Sequence, residues 1–175
     1  MAPPSELLQQ MREAAARCDR KSQAAVEGLP AGFPHVDDVI VLVQPLRVGT
    51  EEDQNALQST LQRLADKNFL TGTQAVGEGG VWAALVCGCA GHGRGFHAEL
   101  SETEGASAAE ALLGERPARV LVSARPKAHL PLANFVERGG SFAAEAIGRV
   151  TGRDVRVRWM GEMLFEAASV QDLQR

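Results

Sequence analysis

Hydrophobic positions along the chain follow two distinct periods. Val39-Ile40-Val41-Leu42-Val43 is an unbroken, largely β-branched run, the pattern of an interior strand. Phe96-His97-Ala98-Glu99-Leu100 and Val155-Arg156-Val157-Arg158-Trp159 alternate instead, as strands with one buried face do. Further strands are predicted over 69–76, 119–123, 142–150 and 163–165. Between them the period lengthens to that of a helix. Ser5 caps a stripe of Leu7, Leu8, Met11, Ala15 and Cys18, predicted to run to about Glu27, before Gly28, Pro30, Gly32 and Pro34. Thr50 and the acidic turn Glu51-Glu52-Asp53 open a second helix whose inward stripe is Leu57, Leu61 and Leu64. The segment 80–90 is apolar on every side, so its helix must be sandwiched. Shorter helices are expected over 106–113, over 126–138 around Leu130, Leu132, Phe135 and Val136, and near Val170 and Leu173. Strands alternate with helices and close on tightly turned strands, which predicts an α+β (α/β sandwich) fold: a mixed sheet with helices packed on it. The expected division is an N-terminal helical extension, 1–30, and a domain, 31–175.

Composition narrows the partners. Of 175 residues, 45% are hydrophobic and 23% charged, a balance that supports a folded core. Aromatics make up 5% with no Tyr, and the formal charge is -4, so neither base stacking nor phosphate-backbone attraction is expected. No nucleic acid and no membrane partner is anticipated. No apolar run reaches the ~20 residues that span a bilayer, and the first residues lack a secretory pattern. Three cysteines make an odd count, which argues against a disulfide framework and for a cytoplasmic location.

The most informative local feature is Gln74-Ala75-Val76-Gly77-Glu78-Gly79-Gly80, a strand end and glycine turn opening the apolar helix. The first amides of a helix lack partners within it and carry the positive end of its dipole. Glycines there let an anion approach the backbone, so Glu78, Gly79 and Gly80 are candidate phosphate-binding residues. Arg94, in the loop 91–95, could assist if the two loops meet in space. The competing reading is that the glycines only make a tight corner and Arg94 is an ordinary loop cation.

Other constellations carry less. Cys87 and Cys89, with His92 and His97, invite a zinc reading. Residues two apart on a helix point roughly 200° from each other, however, so small buried cysteines are the expectation. A buried thiol is inert as a nucleophile. His35, beside Asp37 and Asp38, and His129, near Lys127, read as surface histidines. Arg156 and Arg158 read as a solvated strand face, and Trp159 as a core anchor. No catalytic residue, metal ligand or cofactor is expected.

The order of segments resembles the C-terminal domain of the AIR-synthase-like superfamily, within it formylglycinamide ribonucleotide amidotransferase (phosphoribosylformylglycinamidine synthase). The segments that carry the resemblance are Leu64 to Gly80, Gly91 to Ser101, Leu112-Leu113-Gly114-Glu115-Arg116-Pro117-Ala118-Arg119-Val120-Leu121-Val122, and Ile147-Gly148-Arg149-Val150-Thr151-Gly152 with Val155 to Trp159. Together they cover about residues 36 to 175. The resemblance implies an AIR-synthase-type fold and a ribose phosphate held at the glycine turn. It also implies a preceding ATP-binding domain with which an amide oxygen is activated during purine synthesis. Departures are plain: Gln74 and Ala75 stand where the family has His-Asp, and Gly77 stands for its Ser. On the resemblance, no counterpart of the ATP-binding domain is expected in these residues, with the helix near 5–27 in its place. The expectation is therefore a stand-alone or degenerate relative, a ligase-related pseudoenzyme inactive without a partner that carries the ATP domain. The alternative is a non-enzymatic module that self-associates through its added helix or a sheet face.

Overall fold

The computed structural model describes residues 5–18, 26, 28–47 and 49–174. Its elements are α1 (Ser5–Ala16), β1 (Val39–Pro45), α2 (Glu51–Asp66), β2 (Gly72–Ala75), α3 (Gly80–Ala90) and β3 (Gly95–Leu100). They continue with α4 (Ala108–Leu113), β4 (Val120–Ala124), α5 (Pro126–Arg138), β5 (Phe142–Thr151), β6 (Val155–Trp159), β7 (Glu162–Ala167) and a 3-10 turn over Gln171–Leu173. The predicted continuation of the first helix past Cys18 falls largely on residues 19–25 and 27, which lie outside the described residues.

One seven-stranded sheet runs in the order β2-β4-β1-β5-β3-β6-β7. Among the seven described strands β3 and β6 pair parallel, with His97 opposite Arg156 and Glu99 opposite Arg158, and the other strand pairings are antiparallel. The sheet is therefore mixed and the fold α+β. β1 lies between β4 and β5, as its uninterrupted apolar run requires.

Two cores flank the sheet. On one face α1, α3 and α4 bury Met11, Trp82, Leu85 and Leu112 against Ile40, Leu42, Phe96 and Ile147. On the other, α2 and α5 bury Leu57, Leu61, Leu64, Leu132 and Val136 against Val41, Val43 and Val122. Leu130, expected on the inner stripe of α5, is instead exposed, because Leu132 and Val136 define the face that meets the sheet. Thr50 caps α2 as predicted: its hydroxyl accepts from the Asp53 amide while the Asp53 carboxylate accepts from the Thr50 amide.

α3 is enclosed as its all-round apolarity demands. The Trp82 indole is fully buried, donates to the Met11 carbonyl at 2.6 Å, and meets Phe96 and Phe165 edge-on. α1 thus packs on α3 with Leu7, Met11 and Ala15 buried. Cys87 is not the unpaired core thiol anticipated: α1 brings Cys18 to it, Cα atoms 5.6 Å apart, and the two form a disulfide. Helical spacing within α3 could not reveal a partner 69 positions away. Cys89 does behave as expected, fully buried with its thiol pushed far up by desolvation.

Gly88 sits where the ring of Phe33 crosses α3, and a Cβ there would lie 2.5 Å from a ring carbon. Gly88→Ala should therefore destabilise the protein by about 2 kcal/mol despite the better helix propensity of alanine. Urea denaturation measures this, and an unchanged midpoint would contradict the contact.

Candidate functional site: an anion cavity beside a glycine corner

β2 ends at Ala75, and the Val76 amide, bonded to the Arg119 carbonyl at 3.2 Å, fixes the chain before it turns into α3. Gly79 and Gly80 both take left-handed φ, +82° and +66°, which L side chains rarely adopt. A Cβ on Gly80 would lie 2.7 Å from the Leu112 carbonyl oxygen, so the corner is pressed against the C-terminal end of α4. Packing by itself therefore requires a tight corner at these two glycines.

The amides at the corner are engaged. Gly79 donates to the Glu115 carboxylate at 3.1 Å, and Gly80 to the Gly77 carbonyl at 3.0 Å. A carboxylate of the chain itself occupies the position at which a phosphate oxygen was expected. Glu78 points elsewhere, to an exposed ion pair with Arg17 at 3.5 Å. Arg94 is not beside the corner. It follows the far end of α3, eleven residues or about 16 Å of helix away, and its Nε donates to the Pro34 carbonyl. Glu78, Gly79 and Gly80 stay together; Arg94 leaves the set.

The cations near this corner are others. A cavity of about 640 Å³ opens at the ends of β1 and β5, lined among others by Gln44, Arg47, Thr103, Glu115, Arg116 and Arg119. Glu115 joins it to the glycine corner. Arg116 is paired with Glu110 at 2.6 Å. Arg119 is only 4% exposed; its Nη2 donates to the Gly114 carbonyl, while Nε and Nη1 have no partner among the described residues. Burial, with the Arg116 charge second, lowers its pKa. A guanidinium held out of water without a carboxylate is costly, and an anion in the cavity would offset that cost with charge-assisted hydrogen bonds. Arg119 was legible only as part of a motif, since a charge just before an apolar strand does not announce which way it faces.

Two acids lie near the same cavity. Glu104 is 3% exposed and accepts from the Ser101 amide at 2.6 Å. Glu145, on β5, has one oxygen buried without a partner. Hydrogen bonding with Glu104, then burial, then repulsion from Glu104 push it up to about 7, partly opposed by Thr103. Thr103 and Ala143, their neighbours in sequence, line the cavity.

The histidines do not assemble a reactive site. His97 Nε2 meets Asp154 at 2.6 Å on the open sheet face, where this bond holds the Asp154 carboxyl below its usual range. His92 bonds the Ala31 carbonyl at 2.8 Å. Among the described residues no three His, Cys, Asp or Glu side chains are placed to hold a metal, and no helix is long and apolar enough to cross a membrane.

The model of the family "AIR synthase related protein, C-terminal domain" matches residues 35–160, from before β1 to the end of β6. The chain belongs to this AIR-synthase family. The segments that suggested the resemblance lie largely within the match, and α1 and β7 lie outside it. No curated protein matches the sequence. Solved structures similar to this AIR-synthase-type chain include Thermotoga maritima PurL complexed with ATP, with a TM-score of 0.74, 19% identity, and 84% of this chain matched to 27% of that one. PurL complexed with FGAR gives a TM-score of 0.72 at 17% identity, over 84% of this chain and 29% of that one. Escherichia coli HypE, a hydrogenase maturation protein, gives 0.59 at 19% identity, over 80% and 52%. At such identities the likeness is one of fold, and the chain spans about a quarter of the length of the PurL chains.

The carboxyl pair makes a testable statement. Because the folded state raises the Glu145 pKa, it binds more protons than the unfolded chain. The associated stability is present below the usual glutamate range and lost as pH rises through about 7. Glu145→Gln should flatten the stability profile between about pH 5 and 8 and leave the variant the more stable at the alkaline end. Parallel slopes in urea titrations across that range would refute the assignment.

Proposed function

We propose that this AIR-synthase-type chain is a ligand-holding unit that takes a phosphate-bearing molecule of the ribose-phosphate class in the cavity at Arg119. On this reading it works in purine biosynthesis or a related ligase chemistry, and depends for activity on an ATP-binding domain. The observation that carries the reading is Arg119: a buried cation with two unpartnered donors, lining a cavity that reaches the glycine corner through Glu115. Relatives of the same fold complexed with ATP and with FGAR support a nucleotide-type ligand.

The residues have distinct tasks. The Arg119 guanidinium supplies buried positive charge at the cavity wall, and its Nε and Nη1 gain phosphate oxygens as partners when the ligand rearranges the mouth, where Arg47 and Arg116 add positive potential. The carboxylate of Glu115, an exposed side chain, leaves the Gly79 amide when a phosphate oxygen takes its place. No side chain here is assigned the role of nucleophile or general base. The chain positions and orients its ligand, and the bond-making step belongs with the ATP-binding domain.

Arg119→Met tests this. Removing a buried, uncompensated charge should leave the unliganded protein as stable as before or slightly more so, even with the Gly114 bond lost. The affinity for ribose 5-phosphate or orthophosphate, measured by calorimetry, should fall at least tenfold. An unchanged affinity would overturn the proposal, as would no binding to the wild type with or without an ATP-domain protein.

The self-association reading is narrowed by the position of α1, whose apolar stripe is buried within its own chain. The surface left for it is the open face of β3, β6 and β7, a charged face bearing His97, Arg156 and Arg158. If copies associate there, light scattering after size exclusion should show a dimer that Arg156→Glu dissociates. A monomer at high micromolar concentration would count against it.

A further inference from the structure

Beyond ligand binding, the position of α1 points to control of access to the glycine corner. A small cavity of about 120 Å³ lies against that corner, lined by Ala14, Arg17 and Cys18 of the N-terminal segment and by Glu78, Gly79 and Cys87. The Ala14 methyl stands 3.5 Å from the place a Gly79 Cβ would take, and Arg17 reaches Glu78. So α1 walls one side of the corner while Glu115 occupies the other. That volume is far below the ~300 Å³ from which small-molecule pockets start, so nothing of ribose-phosphate size enters on this side while α1 is docked.

What fixes α1 there is partly covalent. Leu7, Met11 and Ala15 bury a narrow stripe, and the Trp82 indole bonds the Met11 carbonyl. A twelve-residue helix is marginal by itself, and the exposed Arg17–Glu78 pair adds little. The Cys18–Cys87 disulfide closes the arrangement, joining the residues just beyond α1 to the third turn of α3. Both cysteines are half-exposed and line the small cavity, within reach of a small thiol, unlike Cys89.

We propose that α1 is a redox-governed cover: the Cys18–Cys87 disulfide holds it against the glycine corner, and reduction loosens it. The reductant is a dithiol. One of its thiolates attacks the sulfur of Cys18, forming a mixed disulfide and releasing Cys87 as thiolate. The second thiolate then displaces Cys18, and the dithiol leaves as its own disulfide. The protein gains two electrons and two protons as two thiols. The effect on ligand access rests on the anion-site reading above; the latch does not.

Hydrogen exchange over residues 5–16, with the disulfide intact and after reduction by dithiothreitol, reads the latch. Protection of α1 should fall at least tenfold on reduction, that of α3, whose back it covers, should fall less, and β1 and β4 should stay protected; Cys18→Ser should match the reduced protein whether or not reductant is present. Trypsin cleavage after Arg12 should accelerate in parallel, and native-state alkylation should modify Cys18 and Cys87 but spare Cys89. If Cys18→Ser fails to fold, the reduced wild type and Cys87→Ser supply the same comparison. Unchanged α1 protection after complete reduction would overturn the latch. Phosphate titration separates the second half: a several-fold tighter affinity in the reduced form supports the cover. Equal affinity in both forms of a phosphate-binding protein removes it. A loosened α1 with no phosphate binding in either form upholds the latch and defeats the anion reading instead.

Discussion

The structure depends on the enclosure of α3. A helix with apolar side chains around its whole circumference cannot rest on a sheet and face water, so a second layer must cover its back. Here α1 and α4 provide that layer, and Trp82 joins the three parts by packing its ring on Phe96 and Phe165 while its indole N–H reaches into α1. The glycine corner follows from the same demand. To enter so crowded a slot from β2, the chain must turn where the carbonyls at the end of α4 leave no room for a Cβ.

This enclosure explains why the corner is less open to an outside anion than its composition suggested. The N-terminal amides of a buried helix need acceptors, and the fold supplies the Gly77 carbonyl and the Glu115 carboxylate. The unmet electrostatic need moves next door, to Arg119, whose guanidinium is buried just before β4 with Nε and Nη1 unpartnered among the described residues. A self-supplied carboxylate on one side and an unpaired cation on the other make an arrangement that a bound anion would rearrange rather than simply fill.

Much of the architecture was legible because each signal was local. The alternation of Val155 to Trp159, the capping box at Thr50 and Asp53, and the bounds of α3 and α5 all depend on residues within a few positions of one another. What escaped was long-range. The pairing of Cys18 with Cys87 depends on how α1 docks, which no periodicity within either helix encodes. Arg94 could assist the glycine corner only if the two loops met in space. They flank α3 at opposite ends, and its length is what separates them. Leu130 fitted an apolar stripe, but α5 meets the sheet through Leu132 and Val136.

The strand order has a further consequence. β1 sits between β4 and β5, so Val39 finds one of its partners, Arg149, only about a hundred residues later. During synthesis its unbroken Val39–Val43 run must leave the ribosome long before either flanking strand exists, as two bare edges of strongly β-prone chain. That segment therefore stays unpaired until almost the whole domain has been translated, an exposure that the finished fold no longer displays.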